Sequence, residues 1–314
     1  MLDSPRPDLL LSIVIPTHNW DVGGLLDKLG DEITAHGLHR CVHVDVFDDA
    51  STPASAAASE ASVHRNAQRG LRAQFYRSDH NVGRSAARNA LVARARGTHL
   101  LFLDADVLPD STRFLRNYLA QAHDGAMAVC GGISYTQCGL GNAETRFYLR
   151  YSSATSVAPA RLRMERPWAW LYTANVMVAC SLVAQVPFDD GFVGYGYEDL
   201  EWGIRLASAG GLSHIDNPVT HLGLLSKATL QRKMRESTPN LLRLVRLHPQ
   251  SAEELRLVRV ARRLRSLPNW VLAMGAAMAG AAFSRTRGPY PLEFASFQLE
   301  KLFLGAHALK AAGI

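Results

Sequence analysis

His99-Leu100-Leu101-Phe102-Leu103-Asp104-Ala105-Asp106 is the stretch on which the fold turns. An unbroken apolar run, preceded by Gly97 and followed by two carboxylates flanking one alanine, predicts a short buried strand with a polar end. Strands buried on both faces belong to parallel sheets covered by helices. Upstream, Leu10–Ile15 is a β-branched run stopped by Pro16, Val42–Phe47 alternates into an Asp-rich turn, and Ala73–Arg77 reads as a third strand. Arg84–Arg96 has an Ala-rich face and Gly97 as its stop, which predicts a helix between strands. Strands alternating with helices give an α/β fold, a mostly parallel sheet flanked by helices. In such sheets ligands bind beyond the carboxyl ends of the strands.

Three polar clusters stand at those ends: Pro16-Thr17-His18-Asn19, Asp48-Asp49-Ala50-Ser51 and Asp104-Ala105-Asp106. A single Asp after a strand more often caps the next helix. Four carboxylates at two strand ends facing one crevice point further. Asp104 and Asp106 can hold a hard divalent cation and leave coordination positions for substrate phosphates.

The stretch 130–225 is less regular. It holds Gly131-Gly132, the cluster Trp168-Ala169-Trp170-Leu171-Tyr172, and a Gly and aromatic loop running to Tyr197-Glu198-Asp199. Rings in such a loop suit stacking on sugars, and Trp168 and Trp170 read equally as core or as a sugar platform. A helix follows over Leu200–Ala209, stopped by Gly210-Gly211. The last third reads as helices over Leu241–Leu247, Leu255–Leu264, Leu267–Phe283 and Phe294–Ala312, and there is no internal repeat.

A chain of 314 residues, 47% apolar and 20% charged, is neither disordered nor collagen-like and has room for two domains. No run of 18 strictly apolar residues occurs, so no clear membrane-spanning helix is expected. Cys41, Cys130, Cys138 and Cys180 include no CxxC pair and suit a reducing cytosol. Met1–Pro7 lacks the layout of a signal peptide, so a cytoplasmic location is expected. Residues 226–314 hold 15 Lys/Arg and 5 Asp/Glu, a net of +10, while 1–225 hold 19 and 23, a net of −4. An acidic body with a basic tail points to an anionic surface as partner, a membrane leaflet or nucleic acid, against the plain alternative of a solvated helix face.

Five motifs in order make the sequence similar to glycosyltransferase family 2, the inverting sugar transferases of the GT-A fold. They are Ser12–Asn19, Asp48-Asp49-Ala50-Ser51, Asn81–Asn89, Leu103-Asp104-Ala105-Asp106, and Asn175 followed by Phe188–Trp202. The resemblance covers about residues 10 to 225. It implies a GT-A catalytic domain over 1–225, with a nucleotide-sugar half to about 130 and an acceptor half over about 131–225. Residues 226–314 are then a basic, helical extension with no identifying motif.

The resemblance carries over residue by residue. Pro16, Thr17 and Asn19 would line the nucleotide, and Asp48 or Asp49 would accept a hydrogen bond from uracil N3–H. Arg84 and Arg88 would lie beside the phosphates, where a guanidinium can pair with them. Asp104 would face the ribose with Ala105 beside it, and Asp106 would bind a metal, Mn2+ or Mg2+, with His221 as a further ligand; an imidazole tilts the choice toward manganese. Asp199 would be the base that takes the acceptor proton, and Glu198 would orient the acceptor or a loop. Trp168, Trp170 and Tyr197 are the acceptor-binding candidates. The implied donor is a UDP-sugar, and the acceptor is a glycan, a lipid-linked glycan or a small molecule. Polysaccharide biosynthesis in a bacterium, a peripheral place on the inner face of the cell membrane, and a homodimer complete the expectations; nucleic acid is not expected as a partner. The chain departs from the family at Ala50, where Gly is usual, at His18-Asn19-Trp20, where Tyr-Asn is usual, and over Cys180–Val186, which lacks the usual Arg.

Two other readings compete. A nucleotidyltransferase would prefer a Gly-rich loop with Lys or Arg directly after the first strand, where Pro16-Thr17-His18-Asn19 stands instead. A nucleotide-sugar-binding protein without turnover would not need Asp104, Asp106, Asp199 and His221 together.

Overall fold

The computed structural model describes residues 10–286 and 288–314; the Met1–Pro7 stretch read above for a leader lies outside the described residues. The strands in chain order are β1 (Leu11–Thr17), β2 (Val42–Asp48), β3 (Ala73–Arg77), β4 (His99–Leu103), β5 (Val107–Pro109), β6 (Ala128–Cys130), β7 (Ile133–Ser134), β8 (Asn175–Ala179), β9 (Leu212–His214) and β10 (Val219–His221). Seven of them form one sheet in the order β3-β2-β1-β4-β8-β6-β9, and β5-β10-β7 form a second. The β3-β2-β1-β4 half is parallel, and β8 enters antiparallel to both β4 and β6.

The apolar run that predicts β4 is buried on both faces. Leu101 and Leu103 pack with Leu25, Leu26 and Leu29 of the helix Gly23–His36. Leu100 and Phe102 point the other way, and Phe102 meets the rings of Phe188 and Trp202 edge-on. That is the period of two expected of a strand between two helical layers.

Two boundaries differ from the sequence reading. Pro16 does not stop β1, which runs on to Thr17. The β1–β4 pairing ends at Val14, so from Pro16 onward β1 pairs with β2 alone and the missing N–H disrupts no ladder. The helix expected to Arg96 ends at Val92. Beyond it Ser12 Oγ accepts hydrogen bonds from the Arg96 and Gly97 amides and draws the chain onto the sheet. A Cβ at Gly97 would lie 3.0 Å from the Leu10 carbonyl, so the close approach needs glycine.

The chain divides into two compact units. The first comprises residues up to Gly139, Ser156–Asp190 and Trp202–Gly223, and carries all the strands described above. The second comprises Leu140–Thr155, Gly191–Glu201 and Leu224–Ile314. The sequence boundary near 225 falls at the start of the last of these segments, which two earlier stretches join.

In the second unit Leu241, Val245, Val258, Leu272, Ala306 and Leu309 form one apolar cluster, and Phe147, Leu230, Met234, Phe283 and Phe297 form another. Glu300 is fully buried in the helix Tyr290–Ala311 and is matched by Arg235 and by Gln231 Nε2 at 2.6 Å. A buried carboxylate is tolerated because it is paired and hydrogen-bonded. The helix Asn269–Arg285 buries Leu272, Ala276 and Phe283, while Trp270 and Met274 stay exposed.

Arg163 had no signal in the sequence, yet its guanidinium is 2% exposed and crosslinks the first unit. It donates to the carbonyls of Ala158, Gly131 and Ile215 and to His214 Nδ1 at 2.8 Å. His214 Nε2–H donates to the Pro167 carbonyl, so the buried ring is neutral. Burial, with Arg163 adding, pushes its pKa down to about 4 against an ordinary 6.5, although the Pro167 bond opposes this. The unfolded chain therefore binds a proton that the folded chain refuses. The stability term is fully present above about pH 6.5 and is lost as pH falls toward 4. The loss is on the order of 3 kcal/mol. Urea unfolding at several pH values should show this slope reduced in His214→Gln; equal slopes would overturn the assignment. His99, also pushed down by burial, adds a slope of the same sign in both proteins.

Candidate active site

All three polar clusters follow parallel neighbouring strands and so share one edge of the sheet, where the first two touch. Asn19 follows β1 with φ 55°, its amide donates to Ser51 Oγ at 2.7 Å, and its Oδ1 accepts from the Thr52 amide at 2.8 Å. His18 Nδ1 donates to the Asp49 carbonyl at 2.7 Å. Pro16 is half-buried, and Thr17 is buried with its hydroxyl donating to the Trp20 carbonyl. Ala50 has φ 55°, a left-handed conformation that explains why glycine suits this position.

The two aspartates after β2 have different duties. Asp49 accepts from the amides of Val82 (2.7 Å) and Gly83 (3.0 Å), holding the start of the helix Arg84–Val92. Asp48 is fully buried; its Oδ2 faces Arg77 Nε at 3.3 Å and accepts from the Ser51 amide, while Oδ1 has no hydrogen-bond partner. The helix Arg84–Val92 exposes Arg84 and buries Arg88, which is 2% exposed and donates to Asp104 Oδ1 at 2.9 Å. Asn89 on the same helix holds the Phe188 backbone and Asp190 Oδ1.

Asp104 and Asp106 follow β4, with Ala105 buried between them. Directly after Asp106 the chain enters β5, which pairs antiparallel with β10 in a register that sets His221 opposite Val107. The Leu222 amide donates to the Asp106 carbonyl at 2.7 Å. A buried network fixes the start of β10: Tyr118 donates to Asn175 Oδ1, Asn175 Nδ2 donates to the carbonyls of Gly132 and Asn217, and Asn217 Nδ2 donates to the Phe114 carbonyl. Topology thus brings a histidine more than a hundred residues away to within 3.6 Å of Asp106 Oδ2.

Asp104, Asp106 and His221 offer ligand atoms within 4.8 Å of one another. His221 Nδ1 is buried and has no hydrogen-bond partner. Two carboxylates and an imidazole form a donor set for a divalent transition metal. Burial pushes the pKa of Asp104 up, but Arg88, Arg84 and His221 outweigh it and hold the group low. Burial raises Asp106; His221 opposes this and the Asp104 charge adds to it. The Asp106 side chain is 25% exposed. Gly223 closes the group, since a Cβ there would lie 2.0 Å from Asp106 Oδ2 and 3.0 Å from His221 Cε1. Its absent side chain is a requirement the sequence reading missed.

Glu198 and Asp199, which belong to the second unit, are the first residues of the helix Glu198–Ser208, Glu198 buried and Asp199 half-buried. Tyr197 before them has φ 70° and packs with the C-terminal helices, where it raises the pKa of Lys301 against the effect of burial. Trp168 and Trp170 lie half-buried in the 3-10 turn Pro167–Trp170 of the first unit. A Cβ at Gly203 would meet the Trp168 carbonyl at 2.7 Å, so that turn is tightly packed.

The fold is a mostly parallel α/β sheet with a candidate metal site at one edge, and the comparisons give its family. Residues 12–174 match the model of Glycosyl transferase family 2, and the chain belongs to that family of glycosyltransferases. It is 28% identical over 273 residues to a protein named Validoxylamine A glucosyltransferase from Streptomyces hygroscopicus subsp. limoneus, a match covering 78% of this chain and 58% of that one. The chain spans about three-fifths of the length of the curated relatives it matches. Among solved structures it resembles residues 1–349 of S. aureus TarS (TM-score 0.52, 15% identity, covering 93% of this chain and 90% of that one). It also resembles the mannosyltransferase PcManGT of Pyrobaculum calidifontis, solved with GDP-Man and Mn2+ (TM-score 0.55, 18% identity, 99% and 90%). These likenesses give the mixed α/β GT-A fold with a helical C-terminal region. Membership sets aside the nucleotidyltransferase alternative.

Proposed function

We propose that the chain transfers a sugar from a nucleoside diphosphate sugar, UDP-linked in the first instance, to an acceptor hydroxyl with inversion at the anomeric carbon. The observation that carries this reading is the grouping of Asp104, Asp106 and His221, with ligand atoms within 4.8 Å, at the carboxyl end of β4. These residues would hold Mn2+ or Mg2+, which supplies positive charge to the departing diphosphate. Arg84, exposed on the first turn of its helix, would meet the same diphosphate, and buried Arg88 would act through Asp104 by keeping it ionised. Asp48 Oδ1, a buried acceptor without a donor, suits an imide N–H and favours uracil. Asp199 would take the acceptor proton, its half-exposed carboxylate being better suited to meet an acceptor than buried Glu198.

The experiment is release of nucleoside diphosphate from UDP- and GDP-sugars, with and without Mn2+, with chelator as control. The Streptomyces relative is named for glucosylation of validoxylamine A, so glucose donors with validoxylamine A as acceptor form the first arm. Cation-dependent release that rises with acceptor is expected. Donor binding without release under every condition would return the chain to the binding-protein reading.

Gly223→Ala tests the cradle. The backbone there is not left-handed, so alanine is sterically refused only by Asp106 and His221. A displacement of about 1 Å at the ligands should cost about 100-fold in cation-dependent turnover. The stabilisation of the protein by Mn2+ in a thermal shift should fall with it. Unchanged turnover in Gly223→Ala would argue that Asp106 and His221 do not act together.

A further inference from the structure

The transfer reading proposed above assigns no role to the arginine-rich tail. Residues 255–292 hold seven arginines and no Asp or Glu, and 266–284 hold no charged residue at all. The folded second unit sorts this composition into two surfaces. On the helix Arg256–Arg263, Arg256, Arg259 and Arg263 are exposed at i, i+3 and i+7, with Arg265 exposed just beyond, while Val258 and Ala261 are buried. Arg262 pairs with Glu253. On the helix Asn269–Arg285, Trp270, Met274 and Met278 are 66%, 49% and 65% exposed. They follow one another at i, i+4 and i+8, with exposed Ala273 and Ala277 between them. The opposite face is committed to the protein through Leu272, Ala276, Ala279 and Phe283. Exposed Arg285 ends the helix. A neutral apolar face along a helix roughly 25 Å long, with exposed Arg265 just before it in the chain and exposed Arg285 at its end, is not an ordinary solvated surface.

We infer that this face lies in the interface of an anionic lipid bilayer. Trp270 sits at headgroup depth, Met274 and Met278 reach the acyl boundary, and Arg256, Arg259, Arg263, Arg265 and Arg285 lie against lipid phosphates. Charge selects lipid over a second copy of the chain. A two-fold dimer across this face would bring together two helices flanked by Arg265 and Arg285, and residues 255–292 contain no carboxylate to offset them. The helix lies on the bilayer rather than crossing it, since none among the described residues is long and apolar enough to span.

The test is flotation with phosphatidylcholine vesicles, with and without phosphatidylglycerol, at low and high salt. Binding is expected only to the anionic vesicles and only at low salt. Replacing Arg256, Arg259, Arg263 and Arg265 by Gln should weaken it at least about 100-fold, at about 1 kcal/mol per charge. Brominated acyl chains should quench part of the tryptophan emission, and that part should be missing in Trp270→Phe. Circular dichroism and thermal midpoints of each variant report folding, and soluble-donor turnover, read separately, keeps failure of this inference distinct from failure of the transfer reading. Absence of low-salt binding by the folded wild type would overturn the inference. So would a concentration-dependent dimer that Trp270→Ser with Met274→Ser dissolves.

Discussion

Asp106→Ala is expected to lower cation-dependent turnover by about three orders of magnitude, because a bound cation supplies several kcal/mol of charge stabilisation to the leaving diphosphate. The same change should leave the thermal midpoint unaltered or higher. Burial already disfavours the ionised Asp106, and the charge of Asp104 adds to that cost, so removing the carboxylate relieves both. Asp104→Ala should behave oppositely in stability. Arg88, 3% exposed at its side chain, donates to Asp104 at 2.9 Å, and leaving that guanidinium without its carboxylate should cost on the order of 3 kcal/mol. The paired measurement is turnover with Mn2+ and with chelator, alongside urea unfolding. Full turnover by Asp106→Ala in chelator sinks the metal reading. Equal destabilisation by both variants would show that Arg88 does not depend on Asp104.

Asp199→Asn keeps size and hydrogen bonding but cannot take a proton. Turnover should fall by roughly 100-fold or more, with nucleoside diphosphate binding unchanged. The structural basis is the contrast at the head of the helix Glu198–Ser208, where Glu198 is 7% exposed and Asp199 is half-buried. Acidic residues also favour a helix N-terminus for electrostatic reasons alone. Stability therefore separates the roles: a mere capping carboxylate, once neutralised, lowers the melting temperature and leaves turnover near wild type. If Glu198→Gln is inactive while Asp199→Asn is near wild type, the two acids have been assigned in reverse.

Much of the first unit was legible because its signals are local. An apolar run such as Leu100–Leu103 must be buried on both faces, and His99–Leu103 and Ala73–Arg77 are strands with the bounds read from the sequence. Where the reading failed, the cause was a partner remote in sequence. Pro16 stays within β1 because β4 has already ended beside it. The helix after Gly83 ends at Val92 because Ser12, some eighty residues earlier, captures the following amides. The bond from Arg88 to Asp104 is likewise a contact that no local signal announces.

By itself the sequence determined the alternation of strand and helix, the family, and the polar strand ends, since periodicity and turn chemistry depend on residues close in the chain. The resemblance already paired Asp106 with His221, but only the tertiary structure shows what brings them together. The β5–β10 register carries His221 to Asp106, and the space beside them exists because residue 223 has no side chain. It also decided that Arg163 is a buried crosslink and that Trp270, Met274 and Met278 face outward. Composition cannot make those distinctions, because whether an apolar or charged side chain is covered depends on what packs against it, and the packing partners are set by topology.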